Sequence, residues 1–181
     1  MQQLNSAFLM KLGWPLGTEP NALWARVMRF KYCKGKDLEA VANCQQSASN
    51  AWHGLMDVFE LTKNGMGHAV GDVRQTKFLV HKWVDGTVLL NHATKEVPAN
   101  HKERLVCDYW NAEKGWDWDQ PAEFLQSEYL QRIASFELIQ EEVGDNLTWI
   151  ANKLGNFSIK TALGIVRGDD TIEPNLNINF D

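Results

Sequence analysis

Cysteine is scarce in this chain: Cys33, Cys44 and Cys107 are an odd number with no close pair. A disulfide scaffold is excluded, and a reduced intracellular protein, of nucleus or cytoplasm, is expected. Structural zinc fails on the same arithmetic. Cys33 and Cys44 stand eleven apart, and His53, His68, His81, His92 and His101 make no short-spaced pair. No apolar run approaches the ~18 residues of a membrane span, so no membrane partner is expected. No serine lies in a nucleophile-elbow sequence, and the glycines of "GMGHAVG" have the wrong spacing for a dinucleotide. These absences leave no cofactor, no metal and no catalytic residue to assign.

What is present is ordinary globular material with extra aromatic mass. Of 181 residues 44% are apolar and 23% charged, and eight are tryptophan. That is enough chain to enclose a sizeable core. The net charge of -5 conceals an asymmetry: residues 1 to 36 hold six basic residues against one acid, Glu19, leaving +5, while 12 basic and 22 acidic residues leave -10 for the rest. A polyanion would meet the N-terminal part and be repelled elsewhere.

Periodicity predicts a first helix over "NSAFLMKLGW", with Leu4, Phe8, Leu9 and Leu12 on its inner side, ended by Pro15 and Gly17. A second begins at Pro20 and runs through "NALWARVMRFKY", Leu23, Trp24, Val27 and Met28 facing inward, Arg26 and Arg29 away. Ser49 or Asn50 caps a third, with Trp52, Leu55, Met56 and Phe59 at helical spacing and an Asn64-Gly65 stop. The period then changes: "HAVGD" and "QTKFLVHKW" read as a hairpin near 67–84 around Gly71-Asp72. A short helix follows around "KERLVCDYW", Pro121 opens another, and Ser127 caps "SEYLQRIASFEL". Near the C-terminus, Leu147 to Ala151 and Phe157 to Ile159 are read as a second short hairpin around Leu154-Gly155-Asn156, with Ser158 or Lys160 starting a last helix.

Three acidic clusters invite chemistry. "RGDDT" places Asp169 and Asp170 side by side like polymerase carboxylates that hold two Mg²⁺ ions, but Pro174 downstream and a helical pattern upstream spoil the strand–turn–strand context. Asp117 and Asp119 in "GWDWD", and Glu141, Glu142 and Asp145, are the kind of acids that solvate or cap. The basic run "RVMRFKYCKGK" has a stronger case. Arg26, Arg29, Lys31, Lys34 and Lys36, interleaved with Phe30 and Tyr32, suit phosphate contact with base stacking. The alternative is aromatics in the core beneath a solvated charged face.

Taken in order, these stretches resemble the region that follows the polymerase in plant non-LTR (LINE-type) retrotransposon proteins, labelled reverse-transcriptase or ribonuclease-H-like. The resemblance rests on Asn5, Ala7, Leu9, Lys11 and Trp14; Leu23, Trp24, Val27, Lys31 and Tyr32; Ser49 with Trp52; Val70-Gly71-Asp72; Phe78 to Asp85; "GWDWDQPAEFL"; "IASFEL"; and "DNLTW" leading to "FSIKTA". Val73 departs from the family's glycine, and Gly86 stands where a tryptophan follows the aspartate. The resemblance implies a connecting segment over 1–144, the start of a zinc-binding module over 145–167, and a polar tail over 168–181. The cysteines of that module have no counterpart, since none follows Cys107.

The expectation is therefore an α+β fold, mainly helical, with a small antiparallel hairpin and a second short hairpin near the C-terminus. Functionally it is a non-catalytic segment that holds RNA or DNA through Arg26, Arg29, Lys31, Lys34 and Lys36. The rival expectations are an interaction or scaffold module that packs against a flanking polymerase or zinc-binding domain, and a degenerate remnant without function.

Overall fold

A computed structural model of the chain describes residues 2–36, 48–136, 138 and 143–169. Cys44, Glu141, Glu142, Asp170 and the tail beyond it lie outside the described residues. The architecture is α+β, helices with small two-stranded sheets, arranged in two compact units. The first is built from the described residues up to Met66 and from Asn156 onward, the second from Gly67–Gly155.

In the first unit α1 spans Gln2–Thr18 and runs through Pro15 and Gly17 instead of stopping there. An interior proline forfeits a backbone bond and costs about 3 kcal/mol. Tertiary packing offsets that cost: Leu16 is buried, and Trp14 stacks on Phe157 with ring centroids 6.1 Å apart. The buried face is Ala7, Met10 and Leu16, whereas Leu4, Phe8 and Leu12 are exposed, contrary to the periodicity reading. The helix carries apolar side chains on two flanks, and periodicity marks stripes without saying which one meets the core. The small Ala7 admits close approach, and α1 packs against the C-terminal helix Ile159–Arg167.

The second helix, α2, spans Leu23–Met28, three residues later than Pro20 suggested, and continues into a π-turn over Arg29–Cys33. A π-turn holds more residues per turn than an α-helix, so it rotates the following side chains off the 3.6-residue period. Ala25, Tyr32 and Cys33 face inward, and the expected inner residues Leu23, Trp24 and Val27 are exposed. The turn ends at Lys34 in the left-handed region (φ 49°). Next, α3 (Asn50–Asp57) starts as read, with Ser49 Oγ accepting from Trp52 N–H, and α4 (Phe59–Gly65) follows a break at Val58. Trp52 and Leu55 complete the small core with Leu16, Ala25, Tyr32 and Cys33.

Ser158 caps the C-terminal helix through a 3.2 Å bond from Thr161 N–H. Gly168 (φ 70°) ends it, with its own N–H on Ile165 C=O and that of Asp169 on Gly164 C=O.

Strands β1 (Met66–Ala69), β2 (Lys82–Val84), β3 (Thr87–Val88), β4 (Trp110–Asn111), β5 (Gly115–Trp116) and β6 (Asn146–Trp149) make three sheets, β1–β6, β2–β3 and β4–β5. The hairpin expected near 67–84 is therefore replaced: β1 pairs with a strand far along the chain, and β2 pairs with β3 across Asp85 (φ 50°) and Gly86 (φ 65°), a turn with two left-handed residues. Nor does a ladder join 147–151 to 157–159. Trp149 N–H bonds to Gly155 C=O at 2.8 Å and closes a turn, while Phe157 turns to Trp14.

The core of the second unit gathers Phe78, Leu79, Trp83, Leu89, Val106, Tyr109, Phe124 and Ile133. Phe78 lies 4.6 Å from Tyr109 and 5.7 Å from Trp83, ring centre to ring centre, and Trp83 Nε1–H donates to Phe78 C=O at 2.9 Å. These are tilted arrangements that aromatic quadrupoles favour.

Candidate interaction surface

The five cations of the basic run do not act alike. Arg29 turns back onto α1, donating to Leu16 C=O from Nε at 3.1 Å and from Nη2 at 2.5 Å. It thus satisfies a carbonyl near a helix C-terminus, where backbone acceptors lack partners and a positive charge is favoured. Lys31 Nζ lies 5.0 Å from the centre of the Tyr32 ring. Arg26, Lys34 and Lys36 are exposed, and among the described residues no ion pair involves any of the five.

The two aromatics of the run part company. Tyr32 is core: it stacks on Trp52 at 4.4 Å with the rings 19° apart, and its hydroxyl donates to Ser49 Oγ at 2.8 Å. Phe30 is 87% exposed, beside Leu23 at 76% and Val27 at 54%. Leu23, Val27 and Phe30 follow one another at i, i+4 and i+7, and with Pro20, Arg26 and Arg29 they line a shallow, mainly apolar depression of about 490 Å³. On α1, Leu4, Phe8 and Leu12 form a second exposed strip at i, i+4 and i+8. Helical periodicity groups Leu4, Phe8 and Leu12 on one side and Leu23 with Val27 on one face, and the basic run offers Phe30 for base stacking or core; the π-turn that holds Phe30 leaves no sequence signal.

In the second unit the most constructed polar site is closed by the protein itself. Asp145 Oδ1 accepts from Gly71 N–H (2.7 Å) and Val73 N–H (3.0 Å), and Oδ2 from Gln75 N–H (2.8 Å) and Thr76 N–H (2.7 Å). Four backbone donors converge on one carboxylate, as in an anion-binding nest. Burial would raise its pKa, but the N–H bonds from Gln75, Gly71 and Thr76 outweigh it and hold the carboxyl below its ordinary range. The same bonds explain why no hairpin forms here, since these donors are spent on a side chain instead of a ladder. Gly71 has no room for a side chain, because a Cβ would strike Val143 C=O. Val73, where the resembled family has glycine, sits at φ 61° with its side chain buried.

Remaining candidates disperse. Asp117 Oδ1 accepts Asp119 N–H at 3.2 Å, a local turn bond, and Asp169 is exposed at a helix end. His92 Nδ1 meets Tyr129 OH at 2.7 Å and His101 Nδ1 meets Tyr109 OH at 2.9 Å. His68 and His81, distant in sequence, stack at 3.9 Å with rings 8° from parallel. Burial, then the neighbouring His81, lower the pKa of His68 to about 4, against a smaller opposing pull from Asp145. Among the described residues no group of three or more His, Cys, Asp or Glu is placed to hold a metal ion, and no helix is long and apolar enough to cross a membrane.

Comparison with known proteins finds a plant relative. The chain is 25% identical over 178 residues to an Arabidopsis thaliana protein named "Putative ribonuclease H protein". The match covers 97% of this chain and 29% of that protein, so the chain spans less than a third of its relative's length. No family model and no solved structure matches. The chain is thus similar to a ribonuclease-H-named plant protein along nearly its whole length.

Proposed function

We propose that the chain is a non-catalytic docking module of a retrotransposon-derived reverse-transcriptase protein of plant type. The order of its motifs and the similarity to a ribonuclease-H-named Arabidopsis protein support the lineage. The observation that carries the docking role is the exposure of two apolar helix strips, Leu4–Phe8–Leu12 and Leu23–Val27–Phe30, in a unit whose own core is small. Contiguous apolar surface of this kind marks interaction sites. The segments of the Arabidopsis relative that flank the matched region, added in trans, should bind the chain and suppress its binding of a hydrophobic dye. Binding unaffected by Phe8→Ser, Leu12→Ser and Phe30→Ser together would sink this reading.

A second reading is favoured by the cations: Arg26, Lys31, Lys34 and Lys36 are exposed and hold RNA or DNA phosphates without sequence readout. Its affinity should fall steeply with salt and be abolished when these four and Arg29 become Glu. Metal-dependent nuclease or polymerase activity in the purified chain, lost on Asp169→Asn with Asp170→Asn, would overturn the non-catalytic part of both readings.

A further inference from the structure

We infer that the Leu23–Val27–Phe30 strip receives an acidic amphipathic helix from a partner polypeptide. The inference rests on the docking reading above and names the partner's chemistry for one of its two strips. Placement is the first argument: Leu23 and Val27, one turn apart on α2, and Phe30 in the π-turn that follows line one depression, a row of apolar contacts that a partner helix fills with its own apolar stripe. Charge is the second. Arg26 and Arg29 stand in the wall of the depression, Lys31 and Lys34 follow Phe30 closely, and residues 1 to 36 contain a single acid, Glu19. A partner whose apolar stripe is flanked by Glu or Asp gains both the burial and the complementarity.

The same features disfavour the other occupants. A second copy docking strip to strip would bring Arg26 and Lys34 against their own equivalents, so like charges would oppose the contact. A nucleic-acid strand could pair its phosphates with the cations and one base with Phe30. It would leave the aliphatic Leu23 and Val27, 76% and 54% exposed, uncovered.

The test uses the full chain and two short fluorescent peptides with an identical leucine stripe, one with Glu and one with Lys at the polar positions, followed by fluorescence anisotropy. The Glu peptide should bind and the Lys peptide should not. Phe30→Ala and Leu23→Ala should each weaken binding about tenfold, because such anchors dominate interfaces of this kind. Arg26→Glu with Lys34→Glu should transfer the preference to the Lys peptide. All four positions are exposed, and an unchanged circular dichroism spectrum excludes misfolding. Absence of binding, equal binding of the two peptides, or indifference to Phe30→Ala overturns the inference. So does an oligo-deoxythymidine affinity that depends on Phe30 more than peptide affinity does, which would assign the strip to nucleic acid. If the flanking segments of the Arabidopsis relative bind while the Glu peptide does not, the docking reading stands and this inference falls.

Discussion

The two units of this chain use apolar residues in opposite ways. The Gly67–Gly155 unit turns Phe78, Trp83 and Tyr109 inward and ties its loops with a buried carboxylate. The helical unit buries a short list led by Trp52, Tyr32, Met10 and Leu16, and leaves two apolar strips facing solvent. The first has organised its surface to be finished. The second keeps apolar surface in excess of what its own core needs, as interaction surfaces do.

That contrast can be broken most severely at Asp145. Asp145→Ala strands four backbone N–H groups of residues 71–76 and should cost about 3–5 kcal/mol in urea unfolding followed by tryptophan fluorescence. Asp145→Asn, which keeps one acceptor oxygen, should cost less. A loss below about 1 kcal/mol for the alanine variant would show that the loop does not depend on this side chain.

Phenylalanine provides the cleanest internal comparison. Phe78→Ala, in the aromatic core, should cost about 3–5 kcal/mol, whereas Phe30→Ala should change stability by no more than about 0.5 kcal/mol and affect binding instead. Equal costs at the two positions would remove the distinction between a closed and an open unit.

Acid should act on the second unit through His68. Its folded pKa, about 4, lies below the ordinary 6.5, so the unfolded chain takes up the proton first. Stability is then complete above pH 6.5 and lost as pH falls toward 4, by about 2–3 kcal/mol for this group. Asp145, also depressed, works in the same direction at lower pH, and stability is lost as the medium falls through its folded pKa. His68→Phe should flatten the stability profile between pH 6.5 and 4, and an unchanged slope would remove the stacked pair from the account.

A smaller loss is expected at the joint between α1 and the π-turn. Arg29→Leu removes the donor to Leu16 C=O, in a part-buried setting, and should cost about 1 kcal/mol in the same urea measurement. Arg29→Lys, lacking the planar fork, should recover part of it.

Signals carried by neighbouring residues were readable in advance. Ser49 and Ser158 cap where their hydroxyls suggested, Pro121 opens a short helix, and the α+β class holds. Signals that depend on a partner far along the chain were not. "HAVGD" reads as half of a local hairpin until Asp145, more than seventy residues later, takes the donors of the intervening loop. Likewise "LWARVM" reads as a buried face until the π-turn and Tyr32 on Trp52 decide which side closes.

By itself, then, the sequence determined the caps at Ser49 and Ser158, the helix start at Pro121 and the +5 charge of its first 36 residues, whereas Ser127, expected to cap a helix, lies just inside one that Gln126 precedes. Those properties need only adjacent residues. Tertiary structure alone decided which apolar stripe is core and which is surface, and that a glycine-led loop is filled by the protein's own carboxylate. Both choices compare alternatives of nearly equal local energy, and only contacts between distant segments separate them.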